Sequence, residues 1–115
     1  MSKNLIDKMF SIIDNRDFSR LSEVFCDDII YERPGYEPLY GITELIDFYQ
    51  NIRIIAEGEH LVDEIISEKS RGSCWGTFAG KNHQGKALNA RFSDCYTFEQ
   101  EKVKTRATYF FKAEI

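Results

Sequence analysis

The spacing of apolar residues changes at about residue 60. Before that point apolar side chains recur three and four residues apart in three segments, which is the spacing of amphipathic helices. The first helix is predicted over residues 3 to 14, and Asp17 is a fair N-cap for a second, short one. A third helix begins after Gly41 and is expected to stop at Gly58.

Strand signals come in two forms. A short β-branched and aromatic run at residues 29 to 33 is stopped by Pro34-Gly35 and predicts a first strand. From His60 onward apolar and polar residues alternate, which predicts further strands joined by polar turns. These strands span about residues 60–69, 73–82, 86–98 and 102–113. In the last of them the alternation places Tyr109 on one face, with Val103, and Phe110 on the other, which is expected to be exposed.

The order of these elements predicts an α+β fold. Three N-terminal helices are expected to pack on one face of a curved, mostly antiparallel sheet, and residues 1–115 are expected to form a single domain. A long sheet bent around a helix leaves an opening at one end, where side chains of the concave face line a pocket. Nine Phe, six Tyr and one Trp are more rings than a small core needs, so the pocket is expected to be aromatic.

One strand carries a carboxylate on its apolar face. Within residues 90–98, every second side chain shares a face, and that face consists of Ala90, Phe92, Asp94, Tyr96 and Phe98. A carboxylate among aromatic rings loses its hydration, so Asp94 either finds a hydrogen-bond donor or stays protonated. Either outcome makes Asp94 a candidate for acid–base chemistry, with a purely structural carboxylate as the alternative.

Composition excludes several classes of function. The net charge is −4 with acidic and basic residues interspersed, so nucleic-acid binding is not expected. Three cysteines without a Cys-x-x-Cys spacing favour reduced thiols over disulfides or zinc, and His60 and His83 are too far apart to indicate a metal site. No signal peptide, membrane span or glycine-rich phosphate loop is recognised. We therefore expect a cytoplasmic protein with no cofactor and no membrane partner.

Four stretches together resemble the nuclear transport factor 2-like superfamily, specifically its ketosteroid isomerase and SnoaL-like polyketide cyclase branch. They are Tyr31–Pro38, Gly41–Tyr49, Phe92–Phe98 and Thr108–Phe111, and the similarity extends over nearly the whole chain. The resemblance implies a cone-shaped fold and a homodimer formed through the outer face of the sheet, where Phe110 and Trp75 would suit the contact. The superfamily includes enzymes, binding modules and transport adaptors, so the resemblance implies the fold more strongly than an activity.

The resemblance also implies roles for two carboxylates. The ketosteroid isomerase pattern has a carboxylate base at the end of its first strand, and Glu32 falls there if the alignment is given a one-residue gap. Without the gap, Arg33 takes that position. Asp94, four residues before Phe98, matches the protonated aspartate of the family's oxyanion hole.

Other family positions are changed in this chain. Met9 occupies the place of the family's oxyanion tyrosine and cannot donate a hydrogen bond, whereas Tyr49 matches a supporting tyrosine. The limonene epoxide hydrolase branch needs an Asp-Arg-Asp set around a water. Here Thr108 replaces the second Asp, and Arg91 and Asp94 are three apart on opposite faces, so that chemistry is not expected.

Further candidates rest on residue type and position. His60 could act as an acid or base at the cavity mouth, or it could cap its strand in solvent. Arg33 could anchor an anionic ligand, although a surface pair with Glu37 is favoured. Trp75 either walls the pocket or sits in a dimer contact. The side chains expected to contact a substrate are Tyr49, Tyr96, Phe92, Tyr109, Trp75 and Met9.

The leading hypothesis is a cofactor-independent isomerase or cyclase that acts on an apolar cyclic carbonyl compound. Glu32, or alternatively His60, would remove a proton next to the carbonyl, and a neutral Asp94 would hydrogen-bond the developing enolate with help from a tyrosine. The second hypothesis is a non-catalytic module that binds a small hydrophobic molecule in the same cavity, which Met9 favours. A protein-interaction adaptor ranks third.

Overall fold

A six-stranded mixed sheet forms the body of the fold, which a computed structural model describes for residues 2–112. The strands are β1 (Phe25–Glu32), β2 (Leu39–Tyr40), β3 (Ile55–Ser67), β4 (Arg71–Asn82), β5 (Ala87–Glu99) and β6 (Lys102–Phe110). Their order across the sheet is β2-β1-β6-β5-β4-β3, in which β1 runs parallel to β6 and the other neighbours are antiparallel. The predicted α+β class is confirmed.

The helical segments precede and interrupt the sheet. They are α1 (Ser2–Asp14), a 3₁₀ helix (Phe18–Glu23), and α2 (Ile42–Asp47), which continues as one π-helical turn (Phe48–Ile52). The π turn buries the consecutive side chains of Phe48 and Tyr49, and such turns are frequent at functional sites. Among residues 2–112 we find no helix with the length and apolar character that crossing a membrane requires.

The apolar stripe of α1 was predicted correctly, and it builds the core. Its buried members are Ile6, Met9, Phe10, Ile12 and Ile13. Each such side chain contributes on the order of 1.5–3 kcal/mol when it leaves water. Met9 is fully buried in this core and is not among the residues that line the interior hollow described below, which corrects its assignment as a substrate contact.

The third helix ends earlier than its pattern predicted, because Gly58 belongs to β3 and does not stop a helix. A Cβ at Gly58 would lie 2.2 Å from Cζ of Phe78 and 2.9 Å from the carbonyl oxygen of Ala79. Only glycine leaves room for the Phe78 ring over this strand. The residue therefore shapes the interior of the sheet, and the chain leaves the helix five residues earlier, at Arg53.

A bulge reverses the faces of β6 relative to the prediction. Thr97 pairs with Thr105 and Phe98 pairs with Val103, so Lys104 is one extra residue on β6. A one-residue shift moves every following side chain to the opposite face. Side chains of residues 106, 108 and 110 consequently turn inward, whereas Tyr109 is 57% exposed. The predicted pocket role of Tyr109 and the predicted exposed position of Phe110 are both wrong.

Candidate functional site

A small hollow lies between the inner face of the sheet and the π turn. Its lining residues are Tyr31, Arg33, Tyr49, Arg53, Ile55, His60, Phe78, Phe92, Arg106, Thr108 and Phe110. The cavity volume is about 10 Å³, which is room for roughly one water molecule. Aromatic rings and cations dominate this wall, and none of the described residues that line it is a carboxylate.

Asp94 lies fully buried behind the hollow and has donors on both oxygens. The Tyr96 hydroxyl and Arg106 Nε donate to Oδ2 at 2.6 and 3.0 Å, and Thr108 Oγ1 donates to Oδ1 at 2.6 Å. The structure therefore selects the first alternative for Asp94, a carboxylate that finds hydrogen-bond donors. Its expected role as a neutral donor to an enolate is corrected, because its oxygens accept hydrogen bonds from the protein.

The network continues outward from Asp94 in two chains. Since Thr108 gives its only hydroxyl proton to Asp94, the Tyr31 hydroxyl is the donor to Thr108 at 2.9 Å. Tyr96 likewise gives its proton to Asp94 and accepts one from the Cys74 thiol at 3.4 Å. Burial raises the pKa of Cys74 to about 11, so the thiol keeps its proton. These chains hold the polar interior in one arrangement.

Arg106 connects the carboxylate to the hollow. It is 3% exposed, forms the ion pair with Asp94 and donates from Nη1 to the Tyr49 hydroxyl at 2.9 Å. Burial alone would lower the pKa of Arg106, but Asp94 and the surrounding phenols raise it well above its ordinary value. Its guanidinium also lies 4.6 Å from the ring centroid of Tyr31. Arg106 is therefore a permanently charged wall of the site.

Tyr31 is a hollow-lining phenol with an altered acidity. Burial by itself would raise the pKa of Tyr31, but the charges of Arg106 and Arg33 lower it below its ordinary value. Because its hydroxyl proton goes to Thr108, Tyr31 supports the Asp94 network and has no proton left for a ligand. Tyr31 was not among the predicted site residues, because the neighbouring carboxylate, Glu32, was chosen in its place.

Two more arginines face the same space. Arg33 is 8% exposed and its guanidinium lies 5.3–5.6 Å from the ring centroids of Tyr36, Phe48 and Phe110. The predicted surface position of Arg33 is wrong, because it follows the inward side of β1. Arg53 is 7% exposed and lies 5.1 and 5.7 Å from the ring centroids of Tyr49 and Phe78.

His60 pairs with an acid at the end of α1. Its Nδ1 lies 2.6 Å from Asp14 Oδ1, and its backbone N–H donates to Asp14 Oδ2 at 2.8 Å. Three rings surround the imidazole, at centroid distances of 4.5 Å from Phe10, 4.8 Å from Phe78 and 5.3 Å from Phe92. Burial, with the charges of Arg106 and Arg53, lowers the pKa of His60 more than Asp14 raises it. The ring is thus neutral near pH 7, with Nδ1–H donating to Asp14 and a lone pair on Nε2, on the far side of the ring.

The remaining candidates lie elsewhere. Glu32 is exposed, because alternation in β1 turns Tyr31 inward and Glu32 outward, so it cannot serve as the base in this hollow. Trp75 is 36% exposed on the outer face of the sheet, and Tyr96 lies behind Asp94. The structure brings together His60, Tyr49 and Phe92 from the predicted set. It adds Tyr31, Arg53, Arg106, Thr108 and Asp14, which sequence reasoning did not select.

One of these omissions had a signal in the sequence. The predicted hairpin between β5 and β6 brings Arg106 close to Asp94 on the neighbouring strand. A buried carboxylate needs a cationic partner, and Arg106 was a cation within reach. The bulge at Lys104, which decides the face, had no such signal.

The fold is that of the nuclear transport factor 2-like superfamily. Within it, this chain belongs to the SnoaL-like domain family, whose model matches residues 6–105. The predicted resemblance is confirmed at that level. Among curated proteins, none matches this chain.

Solved structures support the same fold. A nuclear transport factor 2-like protein of unknown function from Burkholderia pseudomallei has a TM-score of 0.85 and 20% identity, over 95% of this chain and 89% of that one. An epoxide hydrolase similar to limonene epoxide hydrolase, from M. tuberculosis, has a TM-score of 0.82 and 14% identity, over 95% and 81%. A protein from Jannaschia sp. CCS1 that carries the name of a SnoaL-like polyketide cyclase has a TM-score of 0.81 and 11% identity, over 96% of this chain and 85% of that one.

Proposed function

We propose that this protein is a cofactor-independent enzyme of the isomerase or cyclase kind, which moves a proton on a cyclic carbonyl compound bound in the hollow. The observation that carries this proposal is the buried Asp14–His60 pair, whose imidazole lines the hollow. His60, which the sequence analysis gave as the alternative base, therefore takes the role that was expected of Glu32. The family and its cyclase relatives are consistent with this class of reaction.

His60 has the features of a general base. Its Nδ1–H is held by Asp14, so Nε2 is free to take a proton from a carbon next to a carbonyl. Asp14 then stabilises the imidazolium. Because the surroundings lower the pKa of His60, the imidazolium returns its proton readily to another atom of the substrate. Removal and return at different positions complete an isomerisation.

Negative charge that develops on the carbonyl oxygen meets cations instead of a neutral acid. Arg106, held by Asp94, and Arg53 line the same hollow. Fixed donors of this kind in a water-poor site stabilise an enolate without further rearrangement. Asp94 acts here as a positioning residue, because it contacts Arg106 and not the hollow.

The hollow as it stands holds about one water molecule, so a ring-sized ligand has to displace a wall side chain. Phe110 is half-buried at the last residue of β6 and stacks near Arg33 at 5.4 Å. We expect these two side chains to move when a ligand enters, since Phe110 is the last residue of β6 and Arg33 directly follows the end of β1.

The test is exchange of the proton next to the carbonyl with deuterated water, followed by NMR on a panel of cyclic ketones. We expect His60→Gln to lower the exchange rate by about 10²–10⁴-fold, as is usual when a general base is lost. Asp14→Asn should lower it less. Glu32→Gln is the matched control, since that carboxylate lies on the outer face. Equal rates for the parent and His60→Gln on every responsive ketone would rule out this role.

A second candidate is a non-catalytic module that binds the same ligands. Both oxygens of Asp94 accept hydrogen bonds from the protein, so Asp94 cannot donate to a ligand as the aspartate of ketosteroid isomerase does. This favours binding without catalysis. A ligand that raises the melting temperature but is recovered unchanged after long incubation with the parent would support binding alone.

We also infer a homodimer formed through the outer face of the sheet. Trp75, Ser93 and Tyr109 are direct neighbours across β4, β5 and β6, and both ring residues are exposed. Leu61, 70% exposed on β3, extends this apolar surface. Phe110, which the sequence assigned to the contact, lines the hollow instead. Burial of such rings is the ordinary driving force of dimer formation.

A further inference from the structure

The guanidinium of Arg53 is a buried cation that forms no ion pair with any residue between 2 and 112. Arg53 is 93% buried, and its Nε has no hydrogen-bond partner among the described residues. Burial lowers the pKa of Arg53, because an unpaired charge is unfavourable away from water. By contrast, Arg106 in the same hollow has Asp94. A cation retained in such a place needs a partner that arrives from outside.

The backbone holds Arg53 in this position. It is the first residue after the π turn, and its N–H donates to the Phe48 carbonyl at 2.8 Å. Its own carbonyl accepts a hydrogen bond from His83 Nε2 at 3.1 Å. With both backbone groups fixed, the side chain extends along the rings of Tyr49 and Phe78 into the hollow. His83, in the β4–β5 turn, thus has a positioning role.

We propose that the ligand of the hollow is an organic anion, a carboxylate carried on an aromatic or alicyclic ring, and that Arg53 binds the carboxylate. The planar guanidinium fork matches a carboxylate in a bidentate pair. Arg33 and Arg106 line the same hollow and add positive charge around it. The neighbouring rings of Tyr49, Phe78 and Phe92 suit an apolar body attached to that group.

The position of Arg53 relative to His60 gives this anion a function. Both side chains pack against Phe78, with ring contacts of 5.7 Å for Arg53 and 4.8 Å for His60. A carboxylate held by Arg53 therefore orients a ring substrate so that one of its carbons reaches His60. This inference rests on the proposed function for its catalytic meaning, and it changes the predicted substrate from an apolar to an anionic compound.

The experiment compares charged and uncharged ligands of the same shape. Binding of 1-naphthoate and of 1-naphthamide to the parent chain is measured by titration calorimetry, with benzoate and inorganic phosphate as further probes. We expect naphthoate to bind at least ten times more tightly than naphthamide, and phosphate to bind weakly because it has no apolar body. If naphthamide binds as tightly as naphthoate, or phosphate as tightly as either, the proposal is overturned.

Variants assign the effect to one side chain. Arg53→Gln should remove the tenfold preference for the carboxylate, and Arg53→Lys should keep only part of it, because a point charge replaces the fork. Arg91→Gln is the control, since Arg91 is an exposed arginine of β5. The comparison of the two ligands on the parent protein decides the matter even if Arg53→Gln does not fold. Loss of the same preference in Arg91→Gln would contradict the assignment to Arg53.

The two proposals fail separately. His60→Gln should keep the preference for naphthoate while it loses proton exchange. Preference without exchange on any ketone in the parent would contradict the enzyme and leave the anion site. Exchange on neutral ketones, without any preference for carboxylates, would contradict the anion site and leave the enzyme.

Discussion

Arg106 Nε lies 3.0 Å from Asp94 Oδ2, and both side chains are almost completely buried. This ion pair joins β5 to β6 and fixes the cation that faces the hollow. Its hydrogen bonds extend to Tyr96, Thr108 and Tyr49. A buried pair of this kind is costly to form, and it is more costly to leave half-formed.

The first prediction concerns that pair. Asp94→Asn removes the negative charge and leaves Arg106 charged in the interior, so we expect the free energy of unfolding to fall by about 3–5 kcal/mol. Urea denaturation measures the change. Glu32→Gln, on the outer face, should stay within about 0.5 kcal/mol of the parent. An Asp94→Asn protein as stable as the parent would show that the pair does not carry this role.

A second prediction follows from the neutral state of His60. Its pKa in the folded protein is below the ordinary value of 6.5, because burial and the charges of Arg106 and Arg53 together outweigh Asp14. The unfolded chain therefore binds the proton first as the pH falls. Stability from this residue is present above pH 6.5 and is lost as the pH falls from there through the folded-state pKa, by at most about 1.4 kcal/mol per pH unit.

Urea denaturation between pH 5 and 8 checks this dependence. The parent should lose more stability below pH 6.5 than His60→Gln, whose side chain can still donate to Asp14 but does not titrate. Parallel curves for the two proteins would contradict the neutral buried imidazole.

The third prediction concerns the phenol that sequence reasoning missed. Tyr31→Phe removes the donor to Thr108, so we expect a loss of about 0.5–1.5 kcal/mol in unfolding free energy. Proton exchange on ketones should also slow, because Thr108 and Asp94, which position Arg106, lose a hydrogen bond that holds them in place. Tyr36→Phe is the control, since Tyr36 packs edge-on against Phe48 at 5.0 Å and lies outside the Asp94 network. Equal exchange rates for Tyr31→Phe and the parent would exclude Tyr31 from the reaction.

The fourth prediction concerns assembly. Light scattering at micromolar concentration should give the mass of a dimer for the parent and of a monomer for Trp75→Lys. The charge is placed at the centre of the apolar outer face, where burial without a partner is unfavourable. Tyr40→Lys tests specificity, because Tyr40 is also exposed but lies on the edge strand β2. A monomeric parent would remove the proposed dimer.

Much of the fold could be predicted because periodicity reports burial directly. The stripe of α1 and the alternation in β4 and β5 each follow from residues that must leave water. Asp94 was recognised as an unusual buried acid for the same reason. Arg106 was not recognised as its partner, because this pair forms only if residue 106 faces the inside of the sheet. One extra residue on β6, Lys104, decides that face.

The sequence by itself determined the class of fold, the family, the buried acid and the surplus of aromatic rings. Only the tertiary structure decided which charged groups meet. Glu32 and Tyr31 are adjacent in the chain, yet the pairing of β1 with β6 turns the tyrosine inward and the carboxylate outward. Arg53 reaches the hollow because the helix ends in a π turn. Local patterns measure how much of a side chain is buried, whereas contacts between distant strands and turns decide what it is buried against.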